Sequence, residues 1–185
     1  IFGNAVQTDH SVVYAMAERI EISDNTFVSE MDDLGGILAR CSGTAVETHA
    51  TYGFVERNEI SNFDHSINIG AQVTDMEDIR VANNKGRNCI RGVAFWVDNS
   101  HTATGLRIIN NEFYQIDDDV PVIDMYSYIV TPAGDIEISN NRIIGSATSG
   151  SACTSAAIMV NRVNSTIIRE NIIKDTRGPA LWVLM

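Results

Sequence analysis

The sequence predicts an all-β solenoid, a coil of parallel strands that repeats along the chain, and three observations support this fold class. First, a phrase seen most clearly as Ile-Glu-Ile-Ser-Asn-Asn-Arg-Ile at residues 136–143 recurs along the chain. Second, its apolar residues alternate with polar ones, which is typical of a strand with one buried face. Third, each copy carries an asparagine after the strand, and these asparagines are Asn25, Asn58, Asn84, Asn111, Asn141 and Asn171.

The spacing of these asparagines supports a stacked coil. They are separated by 33, 26, 27, 30 and 30 residues, and a repeat of this length is typical of solenoids. Asparagine tolerates the left-handed backbone conformation better than most residues, so we expect each one to form the bend after its strand. If every coil bends at the same place, the side chains stack ~4.8 Å apart and hydrogen-bond from coil to coil. Helical repeats are excluded because they need an apolar period of about 3.6 over a longer segment.

The repeated phrase resembles the right-handed parallel β-helix of the pectin-lyase-like superfamily, which includes many phage tailspikes. The resemblance extends from Val12 to Val183. It implies an all-β, right-handed parallel β-helix of about six coils with an asparagine ladder. It also implies a homotrimer that binds a polysaccharide, located in the virion as part of a phage tail or secreted to the extracellular space. One fold hosts many functions, so the activity must be argued from individual residues.

The resemblance divides each coil into a first strand, a second strand before the asparagine bend and a third strand after it. In the opening coil these strands are residues 12–16, 20–22 and 26–29. The next coil begins with a first strand at 36–40 and a loop at 41–52. The remaining first strands are predicted at residues 66–70, 93–97, 122–126, 157–160 and 181–183.

Composition and charge limit what the chain binds. One domain spans residues 1–185, and its apolar ends lack the polar caps that solenoids need, so we expect a fragment of a longer chain. The net charge of −11 predicts no nucleic acid partner, and it disfavours a polyanionic substrate unless the fold creates a local basic patch. No apolar run is long enough for a membrane-spanning helix, so membrane insertion is not expected, and no signal-peptide pattern opens the sequence. The three cysteines lack metal-ligand spacing, so we expect free thiols, no metal and no cofactor.

Two outward columns of the first strands carry the candidate catalytic residues. Alternation places Asn68, Trp96 and Asp124 in one column, and Arg40, Gly70, Asp98 and Tyr126 in the next. Diagonal neighbours on adjacent coils fall within the roughly 5–9.5 Å that separates the two acids of a glycosidase. Asp98 and Asp124 are therefore a candidate catalytic pair. The preceding loop offers further candidates for either acid, namely Asp117, Asp118 and Asp119.

Aromatic and polar side chains beside these acids predict sugar binding. An aromatic ring packs on the apolar C–H surface of a sugar, while carboxylates accept hydrogen bonds from its hydroxyls. We therefore expect substrate contacts from Trp96, Tyr126, Tyr128, Asn68 and Arg40. The resemblance to phage tailspikes implies recognition and cleavage of a bacterial-surface polysaccharide, and with these residues we expect a tailspike-like glycoside hydrolase that acts through two carboxylates.

Two other hypotheses stay open. A non-catalytic β-helical stalk or adhesin segment would leave the acids apart or cover the outward aromatics with a neighbouring subunit. A polysaccharide lyase or epimerase would place a basic side chain or a calcium cluster beside the acids. The segment Asp64-His65-Ser66 resembles the Gly-His-Gly segment of polygalacturonases, but its flanking glycines are absent, so that activity is not predicted.

Overall fold

The computed structural model describes residues 1, 4–7, 12–29, 41–71, 74–98, 100–114, 120–127, 133–145, 156–176 and 178–184, which form strands, bends and turns. The first ten strands are β1 (Ala5–Gln7), β2 (Val13–Ser23), β3 (Thr26–Val28), β4 (Cys41–Glu56), β5 (Glu59–Ser61), β6 (Phe63–Ala71), β7 (Asp78–Ala82), β8 (Lys85–Arg87), β9 (Arg91–Val97) and β10 (Ala103–Thr104). The others are β11 (Leu106–Ile109), β12 (Glu112–Tyr114), β13 (Ile123–Ser127), β14 (Ala133–Gly134), β15 (Ile136–Ser139), β16 (Arg142–Ile144), β17 (Ile158–Asn161), β18 (Thr166–Arg169), β19 (Ile172–Lys174) and β20 (Leu181–Leu184). Within these ranges, no helix is long and apolar enough to cross a membrane.

The strands pair in parallel and stack along three faces of the solenoid. Sheet 1 contains the first strands, namely the first halves of β2 and β4 followed by β6, β9, β13, β17 and β20. Sheet 2 contains the second strands, namely the second halves of β2 and β4 followed by β7, β11, β15 and β18. Sheet 3 follows the asparagine bend and has the order β1-β3-β5-β8-β12-β16-β19. A short pair, β10 with β14, lies between sheets 1 and 2. The predicted all-β fold of parallel coils is therefore confirmed.

Four coils, which begin in β4, β6, β9 and β13, are paired with a neighbour on both sides along all three strands. The coil before them has a single neighbour along β2, and the coil after them has a single neighbour along β18 and β19. The predicted number of six coils is reached only when these two partly paired coils are counted.

The predicted asparagine ladder is confirmed, and each amide bonds to the next coil. Asn84 Oδ1 accepts hydrogen bonds from the backbone N and from Nδ2 of Asn58, both at 3.0 Å. Asn84 in turn donates from N and Nδ2 to Asn111 Oδ1, at 2.9 and 3.0 Å. The same pair of bonds links every step from Asn25 to Asn171. These bonds satisfy polar groups that are buried at the corner, which stabilises the stacking of the coils.

The ladder asparagines do not themselves form the left-handed bend, so that part of the prediction is wrong. The left-handed residue is the one before each ladder asparagine, with φ between 53° and 59° at Asp24, Arg57, Asn83, Asn110, Asn140 and Glu170. The bend at this residue directs the following side chain into the coil. There the amide satisfies backbone carbonyls, as where Asn84 Nδ2 donates to Val55 O at 2.8 Å.

Apolar side chains on the inner faces of the three sheets fill the solenoid. The predicted inward residues of four first strands are at most 1% exposed, namely Ile67, Ile69, Phe95, Val97, Ile123, Met125, Ile158 and Val160. In β20, by contrast, Leu181 and Val183 were expected to point inward and are 44% and 47% exposed. The Cys89 thiol is buried and outside any disulfide, as expected, and its Sγ donates to Arg87 O at 3.3 Å.

The loop predicted at residues 41–52 is wrong, because β4 runs through it. Residues 46–50 pair in register with β2, with Val46, Thr48 and Ala50 on the inner face and Glu47 and His49 on the outer face, so this segment has the period of a strand. The first strand predicted at residues 36–40, including Arg40, lies outside the described residues. In sheet 1, β4 stands directly between β2 and β6.

Candidate functional site

The outer face of sheet 1 presents two rows of positions that alternate with the buried apolar positions. The first row contains Tyr14, Glu47, Asn68, Ala94, Asp124, Met159 and Trp182. The second row contains Met16 and His49 and, in the following coils, Gly70, Trp96, Tyr126, Asn161 and Leu184.

The predicted columns were on the correct face but two residues out of register at β9. Ala94, rather than Trp96, lies between Asn68 and Asp124, and Trp96, rather than Asp98, lies beside Gly70. A shift of two residues leaves every apolar side chain on the inner face, so the hydrophobic pattern does not detect it.

Asp124 is the most unusual carboxyl group on this face. Its residue is 5% exposed, Arg91 Nε lies 3.2 Å from its Oδ2, and its Oδ1 has no hydrogen-bond partner among the described residues. Burial raises the pKa of Asp124, and the charge and hydrogen bond of Arg91 oppose that rise. The carboxyl group is thus held at one oxygen and unsatisfied at the other.

Arg91 links Asp124 to a partly buried histidine, His65. Its Nη1 lies 2.8 Å from His65 Nε2. A guanidinium only donates hydrogen bonds, so Nε2 is the acceptor and the imidazole is neutral with its proton on Nδ1. Burial, and secondarily the charge of Arg91, lower the pKa of His65 to about 4. His65 and Asp124 therefore hold the Arg91 guanidinium between them.

Asn68 presents a second unsatisfied oxygen on the same row. Its Oδ1 is buried and has no hydrogen-bond partner among the described residues. Between Asn68 and Asp124 lies only the methyl group of Ala94, so the two positions are roughly 9–10 Å apart across two strand spacings. Trp96, partly buried, follows Ala94 on the same face. We call Asn68, Arg91, Ala94, Trp96 and Asp124 the Asp124 site.

A second polar pair, Glu47 and His49, lies on the neighbouring strand, where Glu47 is the partner of Asn68. His49 is 4% exposed, and its Nε2 lies 3.2 Å from Glu47 Oε1 while its Nδ1 lies 3.1 Å from Gly70 O. The ring occupies the space beside Gly70, where an added Cβ would lie 2.5 Å from His49 Cε1. The sequence analysis missed both residues because it placed them in a loop, although Val46-Glu-Thr-His-Ala50 alternates like a strand.

Asp98 is not brought to Asp124. The partner of Asp124 is Ala94, four residues before Asp98, which corresponds to roughly 13 Å along an extended strand. This exceeds the roughly 9.5 Å limit for a glycosidase pair. Asp98 Oδ1 instead accepts from Ser100 N at 2.8 Å and lies 2.9 Å from His101 Nδ1, and these bonds lower the pKa of Asp98.

Several predicted residues are not placed by the structure. Tyr126 stands next to Trp96 in the register of β13 and β9, and only its backbone is described. The residues that lie outside the described ranges are Arg40, Asp117, Asp118, Asp119 and Tyr128. In the part of the chain that is described, no group of three or more His, Cys, Asp or Glu residues is arranged to hold a metal ion.

Comparison with known proteins does not extend these observations. No family model, no curated protein and no solved structure matches the chain. The parallel solenoid with its asparagine ladder is therefore established by the pairing and hydrogen bonds of this chain alone.

Proposed function

We propose that this protein is a tailspike-like depolymerase that binds a bacterial-surface polysaccharide along the outer face of sheet 1 and hydrolyses it at Asp124. The observation that carries the proposal is the buried carboxyl oxygen, Asp124 Oδ1, which has no partner among the described residues and shares its row with the unsatisfied Oδ1 of Asn68. Buried acceptors without partners cost free energy, and such groups in native proteins often serve a ligand. Sugar hydroxyls are suitable donors, and Trp96 supplies a ring for the sugar surface.

Asp124 has the properties of a general acid. Arg91 occupies Oδ2, so the proton of the neutral carboxyl group belongs on Oδ1, the oxygen that is left for a substrate. Burial raises the pKa of Asp124, which keeps a larger fraction protonated near neutral pH, as proton donation to a glycosidic oxygen requires. Because Oδ1 is covered in this structure, the substrate must displace a neighbouring group to reach it.

The second carboxylate of the mechanism is proposed to come from the segment before β13. Asp117, Asp118 and Asp119 precede Asp124 by only a few residues, whereas Asp98 is too distant by register. A separation of about 5–5.5 Å from Asp124 would give retention of the anomeric configuration, and roughly 6.5–9.5 Å would give inversion.

Turnover of capsular and O-antigen polysaccharides tests this assignment. We expect release of reducing ends by the native chain and a fall of about 10²–10⁴-fold in kcat for Asp124→Asn, because general acid catalysis typically contributes that much. Asp98→Asn is the matched control, since it removes the same charge from the turn after β9, and it should keep its activity. Loss of activity in Asp98→Asn but not in Asp124→Asn would overturn the assignment. If no polysaccharide is bound or cleaved, the non-catalytic stalk or adhesin is the better hypothesis.

A polysaccharide lyase is the second candidate, and the position of Arg91 favours it. A lyase needs a cation to neutralise a uronate carboxylate, and Arg91 is beside the buried acid. The base is less well provided, because Arg91 already occupies Nε2 of the neutral His65. Products distinguish the two reactions, since a lyase forms an unsaturated uronate that absorbs ultraviolet light and a hydrolase does not.

A further inference from the structure

Sheet 2 carries a groove whose chemistry differs from that of the Asp124 site. It has a volume of about 310 Å³, which is at the lower end of ligand sites. Its lining includes three arginines, two aromatic residues and one aspartate, namely Arg19, Arg80, Arg107, Tyr52, Phe54 and Asp78. The three guanidinium groups are the donors through which a protein with a net charge of −11 would bind an anion at this groove.

Two of the arginines are directly opposite each other. Arg80 in β7 and Arg107 in β11 are Cα partners in neighbouring parallel strands, which are about 4.8 Å apart. Like charges in this arrangement repel and destabilise the sheet. An oxyanion between the two guanidinium groups would turn this repulsion into attraction.

Each arginine keeps free donors for such a ligand. Arg107 Nη2 lies 3.0 Å from Asp78 Oδ1, Arg19 Nη2 lies 2.8 Å from Glu21 Oε1, and Arg80 Nε contacts Glu56. A guanidinium has five N–H donors, so one such contact leaves most of them available. The arginine side chains are 46–71% exposed, and exposed ion pairs contribute little, so an anionic ligand can compete with these carboxylates.

The aromatic residues of the groove contact the charged groups beside them. The Arg80 guanidinium carbon lies 6.0 Å from the centre of the Phe54 ring, which favours a guanidinium held over that ring. Tyr52 Oη donates to Glu77 Oε2 at 2.7 Å, so this carboxylate is engaged at the edge of the groove. Between them, Gly53 has φ 141° and no room for a side chain, because an added Cβ would lie 2.0 Å from Ile20 O. The backbone there leaves the groove open.

We infer that this groove binds the anionic group, a carboxylate or a sulfate, of an acidic saccharide unit. The saccharide part of the inference rests on the proposed function, and the oxyanion part rests on the facing arginines. The groove is on sheet 2, so it would hold the polysaccharide at a position outside the Asp124 site. It would also make the protein selective for acidic polysaccharides.

Calorimetric titration at low ionic strength tests the inference with three probes, which are a uronic acid disaccharide, the matching neutral disaccharide and sodium sulfate. We expect the acidic disaccharide to bind, sulfate to compete with it, and the neutral disaccharide to bind at least about tenfold more weakly, because charged hydrogen bonds are the stronger ones. Added salt should weaken the binding.

Variants locate the site. Arg80→Gln and Arg107→Gln should each weaken binding of the acidic disaccharide about tenfold. Arg87→Gln is the matched control, because Arg87 is exposed in sheet 3 and its guanidinium carbon lies 5.8 Å from the centre of the Tyr114 ring. Asp124→Asn should leave this binding unchanged, which separates the groove from the proposed catalytic site. Equal binding of the neutral and acidic disaccharides, equal losses in Arg87→Gln, or no binding of the acidic disaccharide would each overturn the inference.

Discussion

Replacement of one ladder asparagine tests whether hydrogen bonds, rather than packing alone, stabilise the corner of the solenoid. Asn84 is 1% exposed, and its side chain makes four hydrogen bonds of 2.8–3.0 Å. Asn84→Ala removes all four, and at about 1 kcal/mol net for each the loss is about 4 kcal/mol. One of these four bonds comes from the backbone N–H of Asn58, and its share is about 1–2 kcal/mol, because its loss leaves a buried N–H without an acceptor if water does not replace it.

Urea denaturation followed by far-ultraviolet circular dichroism measures this loss. Asn83→Gly is the control, because Asn83 is exposed, adjacent in the chain and already at φ 56°, which glycine adopts without strain. It should change the free energy of unfolding by less than about 1 kcal/mol. Hydrogen exchange should also show faster exchange of the Asn58 amide in Asn84→Ala and unchanged exchange in Asn83→Gly.

Asn84→Asp separates hydrogen bonding from shape. The aspartate has almost the same volume but no N–H donor, so it would face the acceptors Val55 O and Asn111 Oδ1 without a hydrogen to share. We expect it to destabilise the protein at least as much as Asn84→Ala. If Asn84→Asp is close to the native stability, or if Asn84→Ala costs no more than the glycine control, the ladder is a packing feature and this reasoning is refuted.

Three further changes probe the sheet 1 face and the bends. Because burial raises the pKa of Asp124 above its ordinary 3.8, that group stabilises the fold most at acid pH and less as the pH rises. Urea titrations should therefore show Asp124→Asn gaining stability relative to the native chain as the pH rises from about 4. Asp98→Asn, whose native carboxyl has a lowered pKa, should lose relative stability as the pH rises to about 4 and change little above about pH 5. Gly70→Ala should cost about 1–3 kcal/mol in the same assay, because the new Cβ would displace His49, and an unchanged stability would contradict that contact. Glu170→Asn should raise the free energy of unfolding by about 0.5–1 kcal/mol, since Glu170 has φ 56° and asparagine adopts it more readily; no gain would show that the bend carries little strain.

The repeat was predictable because the same physical requirement recurs in every coil. Each corner needs an amide that both donates and accepts, so the ladder asparagines recur at nearly constant spacing, as at Asn111, Asn141 and Asn171. The inward residues followed from period-2 alternation. The left-handed bend was assigned one residue too late, because the positions that adopt it include Arg57 and Glu170, whose types do not mark a bend.

The candidate site was harder to predict, because it depends on register and not only on face. Asp124 was found because it alternates with Ile123 and Met125, which are buried. Its partner Arg91 was not assigned to the site, since Arg91 lies three residues before Ala94, the position that pairs with Asp124. No short sequence pattern joins two residues that are 33 positions apart.

The backbone at the start of β9 helps to explain the position of Arg91, which the alternating hydrophobic pattern does not predict. The amides of Gly92 and Val93 both donate to Val122 O, at 2.8 and 3.0 Å, and the next coil repeats this pairing, because Val122 and Ile123 both donate to Ala157 O at 3.0 Å. An irregular pairing of this kind changes the direction of nearby side chains, and here Arg91 contacts His65 on one side and Asp124 on the other. Gly92 makes room for this arrangement, because a Cβ there would lie 2.5 Å from the buried ring of Phe113. Arg91 at the start of β9 thus joins a buried carboxyl group to a partly buried imidazole, a contact that the alternating pattern of the strands does not reveal.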